Sequence, residues 1–115
     1  MSQCNLSERS CVPCEGGVPP IPAEEARAMM GALHPDWQLN ETASEIRRKM
    51  VFKGFAAPLS HANLAAWLAE REGHHPDINF GWGYVELVFT THAIGGLSEN
   101  DFICAAKWDR LLASE

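Results

Sequence analysis

Apolar side chains recur at helical spacing in two early segments of the chain. The first predicts a short amphipathic helix ending before Pro35, with apolar positions at Ala26, Met29, Met30 and Leu33. The second predicts a helix from Ala56 to Glu72 that Gly73 terminates. This second helix carries two apolar faces, Ala62, Ala65, Ala66 and Ala69 on one and Leu64, Trp67 and Leu68 on the other. Two apolar faces need two covering surfaces, so another helix or a second subunit is expected against it.

Alternation with a period of two predicts four strands. Residues 37–40 and 45–52 form two strands around a turn at 41–44, with one face of the second strand carrying Ile46, Arg48, Met50 and Phe52. After the second helix, a Gly-Trp-Gly turn separates two alternating runs, Ile78 and Phe80 before it and Val85, Leu87 and Phe89 after it. A last helix begins near Ser98, which could cap it together with Asp101, and runs to about Leu112.

The predicted order is helix, two strands, helix, two strands, helix. Short turns between paired strands imply antiparallel pairing, so we predict an α+β fold: a four-stranded antiparallel sheet with three helices packed on one face. At 115 residues the chain can build one core but not two. We assign residues 21–115 to a single domain, and residues 1–20, rich in Cys, Ser, Gly and Pro, to an irregular Cys-containing N-terminal extension.

Composition narrows the possible functions. The chain is 46% hydrophobic, and it has no apolar run near the length of a membrane span and no signal-peptide pattern. We therefore expect a cytoplasmic protein without a membrane partner, with reduced cysteines. Its net charge is −6 and its basic cluster is the short run at 47–49, which argues against a nucleic-acid partner.

Two adjacent histidines carry the most chemical information. His74 and His75 lie at the joint between the second helix and the third strand, and Pro76 holds the residue before it in an extended conformation. His92 follows the fourth strand. Because the start of one hairpin strand and the end of the other lie at the same edge, we expect the three imidazoles to converge. An imidazole has an unperturbed pKa of roughly 6.5, so it can give or take a proton near neutral pH.

Three further side chains are candidates for the same site. Glu70 lies one turn before His74, and Asp101 opens the last helix, where capping is an alternative role. Trp82, between two glycines, could stack on a flat ring beside the histidines or belong to the hairpin core. A purely structural role is the competing interpretation for each of the histidines.

Metal binding is a weaker alternative. Glu70, His74, His75 and His92 have ligand chemistry, but adjacent histidines diverge and no HExxH spacing is present. In the extension, Cys4, Cys11 and Cys14 include a single CxxC, and a structural zinc needs four ligands. Cys104 is expected to be a small core residue. We predict no metal and no catalytic role for the extension.

Two motifs resemble a known family. "EREGHHPD" at 70–77, followed by a hairpin with an aromatic turn and by "THAIGGLSENDF" at 91–102, is similar to the signature of the pterin-4a-carbinolamine dehydratases. The element order matches over about residues 22–112. The resemblance places Glu70, His74, His75, His92 and Asp101 at active-site positions and Trp82 at the aromatic position. Ala93 departs from the family, in which an acidic residue commonly follows the Thr-His pair.

The resemblance implies a lyase that dehydrates a 4a-hydroxytetrahydropterin to a quinonoid dihydropterin and water. This reaction belongs to tetrahydrobiopterin recycling during aromatic amino acid hydroxylation. The resemblance further implies catalysis by His74, His75 and His92, and substrate binding by Glu70, Pro76, Trp82 and Asp101. It implies no metal or organic cofactor, and a homodimer or homotetramer. The alternative is a protein-binding module or transcriptional dimerisation cofactor that keeps the fold without catalysis.

Overall fold

The computed structural model describes residues 6–11 and 18–113. Its helices are α1 (Ala23–Met29), α2 (Ala56–Glu72) and α3 (Glu99–Ala113), and its strands are β1 (Gln38–Leu39), β2 (Ile46–Val51), β3 (Asp77–Gly81) and β4 (Tyr84–Phe89). Short 3-10 helices span Met30–Ala32 and His92–Ile94. Within the described ranges, no helix has both the length and the apolar character to cross a membrane.

The four strands form one antiparallel sheet in the order β1-β2-β4-β3. β4 is central: its Phe89 lies opposite Ile46 of β2, and its Val88 lies opposite Asp77 of β3. The predicted α+β class and antiparallel pairing are confirmed. The start of β3 and the end of β4 lie at one edge, as hairpin geometry requires.

The alternation in β2 separates a core face from a solvent face. Ile46 is buried, whereas Arg47, Lys49 and Val51 of the opposite face are exposed. Arg48 on the core face is also buried, because its guanidinium donates to the Asp109 carboxylate of α3 at 2.6 Å. Pairing of the two charges makes burial of an arginine tolerable and fixes α3 against the sheet.

α2 begins and ends as predicted, but its two faces differ from the expectation. Ala62, Ala65 and Ala69 are buried, whereas Ala66 is exposed. Of the larger side chains, Leu68 is buried, and Trp67 keeps 50% of its surface accessible. The chain itself therefore covers most of the alanine face and only part of the second face.

The first described segment packs against the domain. Leu6 is 2% exposed and belongs to the same core cluster as Phe102 and Trp108 of α3. Residues 6–8 form a 3-10 turn, and the rest of the segment has no regular structure. Residues 6–11 are thus mostly irregular, and through Leu6 they also pack on the domain core. Cys4 and Cys14 lie outside the described residues.

Candidate active site

The end of α2 sets the position of the first two histidines. Gly73 adopts the left-handed conformation, with φ +67°, which a glycine reaches without a steric penalty. The His74 N–H then donates to the Ala69 carbonyl at 3.2 Å. The chain thus leaves the helix abruptly, and β3 begins at Asp77, three residues after His74.

His74 is the most firmly held of the three histidines. Its Nε2 lies 2.6 Å from Oδ1 of Asp101. Its ring stacks on that of Phe89, with the two ring centroids 6.0 Å apart and an interplanar angle of 7°. The side chain is 11% exposed. Phe89 ends β4 and Asp101 begins α3, so the imidazole is fixed between the sheet and the last helix.

Asp101 is fully buried and its carboxylate is satisfied by three partners. Oδ1 meets His74, and Oδ2 accepts the Thr91 hydroxyl at 2.7 Å and the Ser98 backbone N–H at 2.9 Å. Since the Thr91 proton points to Asp101, the Ser98 hydroxyl donates to Thr91 Oγ1 at 2.7 Å. Asp101 therefore both caps α3, as the Ser98 pattern predicted, and orients His74.

This network assigns the tautomer of His74. A carboxylate accepts hydrogen bonds, so Nε2 carries the hydrogen that is donated to Asp101. Nδ1 is then the nitrogen left to bind or exchange a proton. The arrangement resembles a histidine held by a buried carboxylate in acid–base catalysis.

All three predicted histidines line one cleft of about 290 Å³. The other lining residues come from the end of α2, the residues after β4 and the start of α3: Gly73, Thr90, Thr91, Ala93 and Asn100. His75 and His92 are exposed, in contrast to His74. The cleft therefore combines one anchored imidazole with two that solvent or a ligand can reach.

A short loop holds His92 in the lining of the cleft. The Thr91 N–H donates to the Gly96 carbonyl at 2.8 Å, closing residues 91–96 into a tight turn. Gly95 has φ +68° and its N–H returns to the His92 carbonyl. This closure fixes the backbone of His92 while its side chain stays exposed.

Glu70 and Pro76 lie beside this cleft in sequence and space. Glu70 Oε1 is 3.6 Å from His75 Nε2, and both side chains are largely exposed. Pro76 separates His75 from β3 and is half-buried. Both adjoin His75 without being among the residues that line the cleft, so their part in substrate binding stays a prediction.

Trp82 does not lie beside the histidines. It occupies the turn of the β3–β4 hairpin and is 73% exposed, whereas the histidines lie at the other end. The five residues of β3 span roughly 17 Å at about 3.3 Å per residue. The expectation that its indole flanks the histidine cluster is therefore wrong within one chain, because the hairpin turn is the far end of both strands.

Metal coordination receives no support from the geometry. No group of three or more His, Cys, Asp or Glu side chains within residues 6–11 and 18–113 is arranged to hold an ion. Of the candidate ligands, Glu70 pairs with His75, whereas His74 pairs with Asp101, which was not one of them.

Sequence reasoning missed the roles of Phe89 and Thr91. Phe89 was predicted as a strand core residue, and it also provides the surface on which His74 stacks. Thr91 was seen only as part of the Thr-His motif, and it orients Asp101. The carboxylate that holds His74 comes from Asp101, so an acidic residue at position 93 is not required for that contact.

Comparison with known proteins decides the family. Residues 19–111 match the family model described as pterin 4 alpha carbinolamine dehydratase. The chain belongs to this family. It is 49% identical over 111 residues to a Nitrosomonas eutropha protein and 47% identical over 113 residues to a Methylococcus capsulatus protein, both named "Putative pterin-4-alpha-carbinolamine dehydratase". The alignments cover 96% and 98%, respectively, of both chains.

Two solved structures share the fold of this pterin dehydratase family member. A Brucella melitensis protein titled transcriptional coactivator/pterin dehydratase aligns with a TM-score of 0.72 and 27% identity, over 80% of this chain and 97% of that one. A pterin dehydratase-like protein titled as a RuBisCO assembly factor in the alpha-carboxysome aligns with a TM-score of 0.58 and 26% identity, over 71% and 95%. The fold thus occurs in proteins with different titled roles.

Proposed function

We propose that this protein dehydrates a 4a-hydroxytetrahydropterin to a quinonoid dihydropterin. Loss of water requires a proton delivered to the 4a-hydroxyl and a proton removed from N5 of the ring. Both transfers can be made by imidazoles, so no metal or organic cofactor enters the proposed reaction. The observation that carries the proposal is the meeting of His74, His75 and His92 in one cleft of a chain from this family.

His74 and His92 are the proposed proton-transfer residues. The Asp101 hydrogen bond occupies Nε2 of His74, which leaves Nδ1 for the pterin. His92 lines the same cleft from the closed turn after β4. One imidazole would protonate the leaving hydroxyl while the other removes the N5 proton, each typically contributing 10²–10⁴-fold.

His75 and Glu70 are the proposed binding residues. Their side chains form a loose, exposed pair at 3.6 Å. Carboxylate oxygens accept hydrogen bonds, so Glu70 can meet the amino group of a pterin while His75 orients the ring. Pro76 restricts the backbone of His75. Asp101, being fully buried, is proposed to position His74 rather than to touch the substrate.

The direct test is an assay of the purified full chain with a 4a-hydroxytetrahydropterin generated in place by an aromatic amino acid hydroxylase. We expect formation of the quinonoid dihydropterin to accelerate with protein concentration above the rate without the protein. Equal rates with and without the protein, over a concentration range at which the protein is folded, would refute the proposal.

A homodimer or homotetramer in the cytoplasm is part of the proposal. Large apolar side chains stay exposed on the single chain, on α2 and around the hairpin turn: Val51, Phe55, Leu59, Trp67, Phe80 and Trp82. A second subunit would bury such surface. Sedimentation that gives only a 12.7 kDa species at micromolar concentration would rule the oligomer out.

A binding role is the second candidate function. The same exposed apolar surface, together with a solved relative titled as a RuBisCO assembly factor, favours it. If the chain is a binding module alone, the dehydration assay will show no acceleration even though the protein is folded and oligomeric. If it is an enzyme, changes at His74 or His92 will abolish acceleration without altering the oligomer.

A further inference from the structure

Two cysteines that are far apart in the sequence have their sulfur atoms in contact in the fold. Sγ of Cys11, in the N-terminal segment, lies 3.4 Å from Sγ of Cys104, in α3, although 93 positions separate the two residues. Both are free thiols; Cys11 is half-buried and Cys104 is fully buried. Neither belongs to the histidine cleft, and the proposed reaction uses neither.

Several contacts hold Cys11 in this place. Its backbone N–H donates to Glu72 Oε1 at 3.1 Å, and its thiol is directed to the Asn100 carbonyl at 3.6 Å. Lys107 extends the arrangement by pairing with Glu72 at 3.6 Å and donating to the Ser7 carbonyl at 3.1 Å. The N-terminal segment is thus fixed on α2 and α3 with its cysteine aimed at Cys104.

We propose that Cys11 and Cys104 form a redox modification site, a reversible disulfide that hydrogen peroxide generates in the folded protein. Peroxide first oxidises the Cys11 thiol to a sulfenic acid and is reduced to water. The Cys104 sulfur then attacks the Cys11 sulfur, the S–O bond breaks, and the Cys104 proton leaves with the hydroxyl as a second water. Two thiols and one peroxide therefore give one disulfide and two waters, and a dithiol reductant restores both thiols.

The environment of the two sulfurs sets this order. Cys11 is partly accessible, so the oxidant reaches it first. The hydrogen bond with Cys11 and burial both raise the pKa of the Cys104 thiol, so Cys104 keeps its proton until it attacks Cys11 and reacts with the oxidant less readily than Cys11 does. Once Cys11 is a sulfenic acid, the neighbouring sulfur is already in contact with it, and attack needs no large movement.

Formation of the disulfide requires only a small movement of the two sulfur atoms. A disulfide has an S–S length of about 2.05 Å, so the sulfurs at 3.4 Å must approach by a little over 1 Å. The new bond would add a covalent link to the contacts that already hold the N-terminal segment on α3, among them the Arg9–Glu99 pair at 2.7 Å, the Lys107 bond to the Ser7 carbonyl and the burial of Leu6. Closing so long a loop restricts the unfolded chain, which stabilises the folded state.

The test uses the full-length chain carrying Cys4→Ser and Cys14→Ser, which leaves the proposed pair. This protein is treated with hydrogen peroxide, digested with trypsin without reduction, and weighed by mass spectrometry. We expect residues 10–27 and 72–107 to appear as one linked species that is lighter than their sum by two hydrogen atoms and that separates on reduction. Tm should rise by about 5–15 °C on oxidation and return on reduction. A matched variant with Cys11→Ser in addition should show neither the linked species nor the Tm shift.

Three results would overturn the inference. One is Cys11 converted to sulfinic or sulfonic acid while Cys104 remains a free thiol. Another is a disulfide between two chains through Cys11. The third is a different use of the thiols in the wild-type chain. It would be seen either as stoichiometric zinc bound by the thiols or as a disulfide that joins Cys11 to Cys4 or Cys14 in place of Cys104.

Discussion

The two ends of the β3–β4 hairpin present opposite surfaces. At the end formed by Asp77 and Phe89, polar and titratable side chains gather, and His74 is anchored by a buried carboxylate. At the turn, Trp82 is largely exposed. The rings of Phe80 and Phe55 lie side by side with their centroids 5.9 Å apart, and both side chains are exposed. One end holds side chains in fixed hydrogen bonds, whereas the other leaves apolar surface uncovered.

In the proposed function, the first end is the catalytic site and the second is the surface for association with another subunit. Catalysis needs side chains whose atoms are held within narrow limits, and His74 and Asp101 are held in this way at the histidine end of the hairpin. Exposed aromatic surface is the kind of surface that the proposed association would use, because its burial against a partner removes apolar area from water. Since the two surfaces lie about five strand residues apart, roughly 17 Å, substitutions can test them independently.

The largest effect is expected at the histidine end. Replacement of His74 or His92 with Ala should each lower kcat by about 10²–10⁴-fold, because a proton-transfer group is lost. His34→Ala is the matched control, since His34 lies away from the cleft and pairs with exposed Asp36. Steady-state rates above the uncatalysed background provide the measurement. Wild-type kcat in either variant would remove that residue from the mechanism.

Asp101→Asn should reduce kcat by about 10²-fold with little change in KM, because the ring of His74 loses its fixed orientation. It should also lower the free energy of unfolding by about 1–3 kcal/mol, since an amide cannot replace all three carboxylate bonds. Asp109→Asn is the control: it disturbs another carboxylate, which binds Arg48 and Trp37, and should destabilise the protein while kcat stays unchanged. A similar loss of kcat in the Asp101→Asn and Asp109→Asn variants would indicate that the role of Asp101 is purely structural.

His75→Ala should raise KM about 3–10-fold and leave kcat nearly unchanged. A group that binds substrate and transition state equally contributes affinity and not turnover, and one lost hydrogen bond corresponds to this range. Initial rates over a range of pterin concentrations separate the two constants. A large fall in kcat at constant KM would instead give His75 a part in proton transfer.

The smallest effect on activity is expected at the turn. Trp82→Ala should leave kcat/KM within about twofold, because its indole is exposed and distant from the cleft of the same chain. The same variant should shift sedimentation toward smaller species if the turn surface lies in a subunit interface. A loss of activity with an unchanged oligomer would place the indole at a pterin site after all.

The features that the sequence predicts correctly are those that depend on local sequence patterns and on strand pairing. The limits of α2 follow from apolar periodicity and from the glycine after it, and both agree with the structure. The common cleft of His74, His75 and His92 follows from antiparallel strand geometry, which requires no knowledge of side-chain packing.

The remaining contacts depend on tertiary packing. The spacing of Asp101 to Ser98 predicts a helix cap. Its contact with His74 could not be predicted in the same way, because it depends on the packing of α3 beside the end of β4. Cys11 and Cys104 lack any local relation in sequence, so their contact was not predicted. Trp82 lies in the turn as predicted, but its association with the histidines was inferred without considering that the turn is the far end of the hairpin from them.

The most direct test of the account is the turnover of a 4a-hydroxytetrahydropterin by the double variant His74→Ala, His92→Ala. Circular dichroism and sedimentation should first establish that the variant keeps the wild-type fold and assembly. The account predicts that its rate then falls to the uncatalysed background, because both proton-transfer groups are gone. A folded double variant with wild-type turnover above that background would contradict the proposal that these imidazoles perform the dehydration.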